Sequence, residues 1–236
     1  VGFTCALQQN MSLTDARNTL ALELSDVKSD IRDASDANLL ELTNTVAGTV
    51  PSVTAAQNVN LTTLAQSLYV SEIHVIDAQG IIVASSDPSF IGFDMHSGEQ
   101  SSEFLDLLPN GRSSHYVQSY QPMSIDNTQW RKIAGARIAG GFIQVSYDSS
   151  QFIDDVATQV RGSIANRHVG WDGMFVVLEE NGKLAGSRYD MPITSIDAQT
   201  LLENAKAQEQ DTMYETNLHD TPYYAMRHDL EGFIIL

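Results

Sequence analysis

A single cysteine, Cys5, stands among 236 residues. No intramolecular disulfide can form, and no zinc site can be built on thiolates. Gly2-Phe3-Thr4 ahead of Cys5 does not match a lipoprotein attachment signal. Basic residues are scarce: 13 Lys and Arg face 30 Asp and Glu, a net charge of −17. Phosphate binding needs a basic surface, so nucleic acid is excluded as a partner, and docking on an anionic membrane surface is disfavoured. Long apolar runs are missing, so neither a transmembrane segment nor a signal peptide is read. Enzymatic motifs are missing too: there is no Gly-x-Ser-x-Gly, no His-Glu-x-x-His and no phosphate-binding loop. No catalytic residue is therefore assigned, and the chain is not read as an enzyme. His74, His96, His115, His168, His219 and His228 are scattered without metal-ligand spacing, and each reads as a surface or satisfied core histidine. Asp26, Asp30 and Asp33 follow at spacings of four and three and read as a solvated helix stripe, as Asp154-Asp155 and Glu179-Glu180 read as solvated charge. Neither a metal nor a cofactor is expected.

Against these absences, 42% of the residues are hydrophobic and 18% charged, the balance of a globular chain with a real core, long enough for one large or two small domains. The organising stretch is Ser12 to Val50. Leu13, Leu20, Leu24, Val27, Ile31 and Ala34 recur at steps of three, four or seven, and Leu39, Leu42, Val46 and Val50 continue the stripe. Ser12 with Asp15 suggests a capping box, and Pro51 stops the helix. One helix of that length spans about 55 Å at 1.5 Å per residue, more than one small domain needs. It reads as a spine carrying two domains; the competing reading is a hairpin broken near Ser35 or Asn44. The first residues and the closing Gly-Phe-Ile-Ile-Leu lack polar, frayed character and read as cut from something longer.

Beyond Pro51, Val53, Ala56, Leu61, Leu64, Ala65 and Leu68 predict a shorter helix. Glu72 to Asp77 is a strand, Asp77-Ala-Gln-Gly80 a turn, and Ile81 to Ser85 the returning strand. Ser89 to His96 is an unusually apolar loop, and Ser102 to Leu108 a short helix. Strands follow at Ser113 to Gln121, Trp130 to Ile138 and Phe142 to Tyr147, the last two joined at Gly140-Gly141. This predicts a five-stranded antiparallel meander. Ser149 to Arg167 is helical, Gly170-Trp171-Asp172-Gly173 punctuates, and the pattern recurs: strands at Met174 to Leu178 and Lys183 to Ser187, a helix at Ile196 to Ala207, and strands at Thr212 to Leu218, Tyr223 to His228 and Gly232 to Leu236. The turns Asp77-Ala-Gln-Gly80 and Glu179-Glu-Asn-Gly182 lie 102 residues apart (182 minus 80), as do Ser85 and Ser187. Two tandem copies of one α+β unit account for this most simply. The domains read as 1–70, a helical spine with a second helix; 71–148, a first unit; and 149–236, a linker helix and second unit.

Several segments resemble double Cache sensor domains, which are PAS-like. They are the long leading helix, Val75-Ile-Asp-Ala-Gln-Gly-Ile-Ile-Val-Ala-Ser-Ser86 with Ile91-Gly-Phe-Asp94, Gly140-Gly-Phe-Ile-Gln-Val-Ser-Tyr-Asp148, Arg167-His-Val-Gly-Trp-Asp-Gly173 and Pro222-Tyr-Tyr-Ala-Met226. The resemblance covers nearly the whole chain. It implies an α+β fold of two PAS-like antiparallel-sheet units on a helical spine. It also implies an extracytoplasmic ligand sensor, tethered to a bacterial membrane, ahead of a histidine kinase, serine phosphatase, diguanylate cyclase or chemoreceptor output. The first unit would be membrane-distal and the second membrane-proximal. Tyr116-Val-Gln-Ser-Tyr-Gln-Pro and Arg131-Lys-Ile-Ala-Gly135 are most similar to sensors ahead of sporulation-phosphatase-type effectors. The family's amino-acid-binding subgroup carries Arg-x-Trp-Tyr before the third strand and an aspartate in the last. Here the first is missing between Glu103 and His115, and the last-strand position is Ser146, so a standard amino acid is not the expected ligand.

The candidate ligand site lies in the first unit. One sheet face must pack on the long helix, and the other can be roofed by Ser89 to Leu108. Tyr116, Gln118 and Tyr120 share a face of their strand and join polar tips to aromatic bodies, which suits a pocket. Gln144 and Ser146 share a face of theirs, and Arg131 or Arg137 is placed to pair with a ligand carboxylate. The bland alternative is half-buried tyrosines and solvent-facing arginines. Two functional readings stand: a sensor of an unidentified small molecule, and a structural module that binds none and dimerises through the long helix. An open polar pocket at Tyr120 and Gln144 favours the first; a cavity filled by Phe90, Phe93 and Met95 favours the second. The second unit is not expected to hold the main site, because Arg188 to Ser195 offers little roof.

Overall fold

The computed structural model describes the backbone of residues 2–236 apart from His168, Gly170, Trp171, Asp172, Tyr189, Asp190 and Glu231, and side chains from Thr14 onward. The expected punctuation at 170–172 and the histidine at 168 thus lie outside the described residues. Helix α1 runs unbroken over Gly2–Thr49, with no hairpin at Ser35 or Asn44. Ser12 lies inside it rather than capping it. A capping box is a local preference of about 1 kcal/mol, and the good helix formers ahead of Ser12 extend the helix past it. Pro51 does end it, the last helical hydrogen bond running from the Val50 amide to the Val46 carbonyl. The buried stripe is Leu24, Val27, Ile31, Ser35, Leu39, Thr43, Val46 and Val50. Ser35 and Thr43 thus stand where Ala34 and Leu42 were expected. Their hydroxyls can be buried because each donates a hydrogen bond, Ser35 to the Asp155 carboxylate at 2.6 Å and Thr43 to the Leu39 carbonyl at 2.7 Å.

The chain divides into two compact units, Ala34–Asp155 and Val1–Asp33 with Val156–Leu236. In the first, α2 (Leu61–Leu68) is capped by Asn60, whose side chain accepts from the Thr63 amide. It leads into β1 (Glu72–Asp77) and β2 (Ile82–Ser85). A roof follows, made of 3-10 turns at Pro88–Phe90 and Met95–Ser97, the short α3 (Glu99–Ser102) and a 3-10 turn at Glu103–Leu107. The helix expected at Ser102–Leu108 is therefore two shorter pieces that begin earlier. Strands β3 (His115–Pro122), β4 (Trp130–Ile138) and β5 (Gly141–Tyr147) complete an antiparallel sheet in the order β2-β1-β5-β4-β3. That corrects the expected meander: β1 pairs with both β2 and β5 and lies in the sheet interior. Its run Ile73-His-Val-Ile76, apolar or buried on both faces, is what a central strand needs. The roof's Phe90, Met95, Phe104 and Leu107 pack with Ile76, Ile82, Ile133 and Phe142 from the sheet.

Helix α4 (Ser149–Ile164) precedes the second sheet. There β6 (Val176–Glu179), β7 (Leu184–Ser187), α5 (Ser195–Lys206), β8 (Met213–Leu218), β9 (Thr221–Met226), β10 (His228–Leu230) and β11 (Phe233–Ile235) form a sheet ordered β10-β11-β6-β7 and a separate β8-β9 hairpin. The duplication is visible in detail. In both units the first strand pairs with its hairpin partner on one side and the last strand on the other. Both hairpins shift register at the same place, after Val75 and after Val177, again 102 apart (177 minus 75). Gly80 and Gly182 close the two turns at φ of 81° and 91°, a region that only glycine enters freely.

Candidate ligand site

The roofed face of the first sheet carries a small cavity of about 20 Å³ lined by His74, Phe90, Phe93, Met95, Gln100 and Gln144, among others. His74 and Gln144 are directly paired across β1 and β5, so their side chains lie together on its floor. Both are buried. Gln144 Nε2 has no hydrogen-bond partner. An unsatisfied buried donor costs about 1–3 kcal/mol, and the site therefore favours anything that brings it an acceptor. The His74 ring packs 4.8 Å from that of Phe90, and its Nδ1 lies 2.9 Å from Ser85 Oγ. Burial pushes the ring's pKa down to about 4; Glu72 and Asp87 nearby oppose this and Arg131 adds to it.

The structure scatters the other expected ligand residues among three different tasks. Tyr116 and Gln118 hold the roof down. The Tyr116 hydroxyl donates to the Glu103 carboxylate at 2.7 Å, and its ring meets Phe104 edge-on at 5.0 Å. The Gln118 amide donates to the same carboxylate and to the Gln100 carbonyl at 3.0 Å, and its oxygen accepts from Gln100 Nε2 at 2.7 Å. Burial and the Glu103 hydrogen bond push the Tyr116 hydroxyl up to about 12. Arg137 also latches the roof, donating to the carbonyls of Asp106, Leu107 and Ser113.

Arg131 and Ser146 serve Glu72 instead. Arg131 grips that carboxylate through Nε and Nη2 at 2.8–3.1 Å, and the Ser146 hydroxyl donates to it as well. Burial opposes ionisation of Glu72, yet the hydrogen bonds from Arg131 and Ser146 hold its pKa below the usual value. Tyr120 has left the face altogether. A bulge between Gln118 and Gln121 puts one extra residue on β3 and turns Tyr120 to the other side. There its ring stacks 4.5 Å from Phe152, and its hydroxyl meets Ser149 Oγ at 2.5 Å. That opposite face also holds Lys132, only 1% exposed, paired with Asp36 at 2.5 Å and lying over the Phe152 ring.

Of the seven expected residues only Gln144 lines the cavity. His74, which sequence reasoning set aside with the other histidines, lines it too. The signal was its place in an otherwise apolar strand, two residues on from Glu72. Phe90, Phe93 and Met95 line the same cavity from the roof. A larger cavity, of about 350 Å³, lies in the other unit, between residues 16–20 of α1 and the β8-β9 hairpin, and none of the described residues of 188–195 lines it. Among the described residues no cluster of histidine, cysteine and carboxylate side chains is arranged for a metal, and no helix is long and apolar enough to cross a membrane.

No family model matches the chain, and no curated protein matches it. Solved structures do align with it. The sensory domain of the Campylobacter jejuni chemoreceptor Tlp3 (CcmL), with isoleucine bound, is 14% identical at a TM-score of 0.44, over 100% of this chain and 95% of that one. An extracellular ligand binding receptor from Desulfohalobium retbaense is 16% identical at 0.39, over 93% of this chain and 38% of that one. The sensor domain of the V. cholerae histidine kinase DctB is 15% identical at a TM-score of 0.35, over 100% of this chain and 97% of that one.

Proposed function

We propose that this chain is the extracytoplasmic ligand-sensing domain of a bacterial membrane receptor, and that the Ala34–Asp155 unit is the membrane-distal one that takes the ligand. The observation that carries this reading is the unpartnered Gln144 amide beside His74, on a buried polar floor beneath a roof of short turns. The roof is held to the sheet by the packing of Phe90, Met95, Phe104 and Leu107 and by polar ties at Tyr116, Gln118 and Arg137, and a ligand must displace some of these contacts to enter. A ligand offering an acceptor to Gln144 stabilises the opened arrangement, and helix α1 carries the change towards a cytoplasmic output. The shift can be no larger than the ligand's preference for one state over the other.

The ligand is not a standard amino acid. Both candidate arginines are already engaged, and the buried carboxylate paired across from Ser146, Glu72, is neutralised by Arg131. An α-carboxylate and an α-ammonium would each enter without a counter-charge. The small volume left between Phe90, Phe93 and Met95 and the floor, about 20 Å³, favours a second reading, a structural module that dimerises through α1 and binds nothing.

Native mass spectrometry of the purified chain, followed by metabolite screening on protein labelled with 13C-methyl methionine, decides between them. Sensing predicts a bound mass that is lost in Gln144→Leu, or a metabolite that shifts Met95 and Met123 in wild type but not in Gln144→Leu. An empty native spectrum with unmoved Met95 and Met123 across the screen establishes the structural reading. Saturation by an ordinary amino acid at millimolar concentration overturns the exclusion of that class.

A further inference from the structure

The larger cavity belongs to the other unit. Ala16, Thr19 and Leu20 of α1 form one wall, Tyr223, Ala225 and Met226 of the hairpin another, and Met174, Val176, Leu201 and Leu236 the base. Every lining residue lies within the Val1–Asp33 and Val156–Leu236 unit. The pocket is open to solvent on one side, with Thr19 and Tyr224 of its lining exposed, and its volume of about 350 Å³ is within the size range of small-molecule sites.

Its chemistry restricts the occupant. No Asp, Glu, Lys, Arg or His is among the lining residues, and the polar side chains there are hydroxyls, on Thr19, Thr216, Tyr223 and Tyr224. The Thr216 hydroxyl already accepts from Asn204 Nδ2 at 3.2 Å. An ionised molecule entering this space would lose water and meet no counter-charge, a penalty that apolar contact does not offset. A neutral molecule with an apolar body loses almost nothing and gains by leaving water.

We propose that this unit holds a second ligand site, selective for an uncharged, largely apolar small molecule. It is independent of the polar floor beneath the roof of Ala34–Asp155. The methionines separate the two. Met174 and Met226 line this cavity, and Met95 and Met123 line the other.

The test is a titration of the full chain, labelled with 13C-methyl methionine, with 1-octanol and in parallel with octanoate at pH 7.5. The proposal expects saturable shifts of Met174 and Met226 with octanol, no movement of Met95 or Met123, and binding of octanoate at least tenfold weaker. Ala16→Phe, which places a ring in the cavity from a half-buried position on the helix wall, should abolish the octanol shifts. Should that variant fail to fold, the wild-type pair of titrations stands alone as the test. Unmoved Met174 and Met226, equal affinity for octanoate, or shifts spread over all four methionines overturns the proposal. None of these outcomes bears on the polar site, whose test reads Met95, Met123 and Gln144→Leu.

Discussion

Acidification should weaken the Ala34–Asp155 unit through one residue, His74. Its ring is 3% exposed, and burial holds its pKa down to about 4, against 6.5 when free. The ring is neutral in the folded chain, while the unfolded chain takes up a proton as the pH falls through 6.5. Between those values the unfolded state binds more protons, so stability falls as pH falls. The loss begins near 6.5 and is complete near 4. At pH 5 the two pKa values give a loss of about 2 kcal/mol relative to pH 7. For a protein of this size that is roughly 4–8 °C in melting temperature.

The charged groups facing the ring temper the effect without reversing it. Glu72 and Asp87 favour the protonated ring, Arg131 disfavours it, and desolvation outweighs them. The assay is a series of thermal melts from pH 7.5 to 4.8 on wild type and His74→Asn. The asparagine keeps a polar group near Ser85 but does not titrate in this range. The variant should be less stable at pH 7 yet lose most of the wild-type slope between pH 6.5 and 5. The His74 ring resonance should meanwhile hold its neutral position down to about pH 4.5. An unchanged slope in the variant, or a ring that titrates near 6.5, refutes the reasoning.

The remaining predictions concern the elements that frame the site. Glu72→Gln should cost about 3 kcal/mol, because it leaves the Arg131 guanidinium part-buried without its partner. Since the pKa of Glu72 is held below its usual 4.5, its contribution is present above that value and is lost as pH falls further, so denaturant midpoints of wild type and variant should converge only below pH 4.5. Asp36→Asn should destabilise more than Lys132→Met. The first leaves a buried ammonium unpaired, whereas the second removes the charge and keeps the apolar stem over Phe152; chemical denaturation giving the reverse order would show that Lys132 finds water or another partner. Gly135→Ala should loosen the roof: a Cβ there would come within 2.5 Å of a Leu107 methyl and 3.0 Å of the Phe104 ring, overpacking worth about 1–3 kcal/mol. Faster amide exchange at 104–108 than in β5 would report it, and unchanged exchange would count against the roof being held by that packing.

How far the sequence could be read follows from the range of the interactions involved. Period and punctuation are local, so the end of α1 at Pro51, β1 with its Gly80 turn, and β4 and β5 around Gly140 are legible to within a residue, while the start of α1 lies ten residues before the expected Ser12, and the 102-residue repeat is legible from the turns together with the order of the elements after them. Strand order is not local. The expected meander follows from chain order, but the sheet instead pairs β1 with β5, and the clue was indirect: Ile73 to Ile76 is apolar or buried on both faces and so belongs in a sheet interior. The placement of the site residues departs from the expectation in the same way and for a sharper reason. Strand alternation put Tyr116, Gln118 and Tyr120 on one face, and a single inserted residue between Gln118 and Gln121 reversed Tyr120. Polar residues on the right face were then claimed by protein partners, Arg131 and Ser146 by Glu72, far along the chain, and Tyr116 by Glu103 in the roof. A residue type can state which ligand chemistry it is capable of, but only the fold states whether that capacity is already used. By that criterion Gln144 stands apart from the six residues expected to act beside it, because it keeps a buried donor unspent.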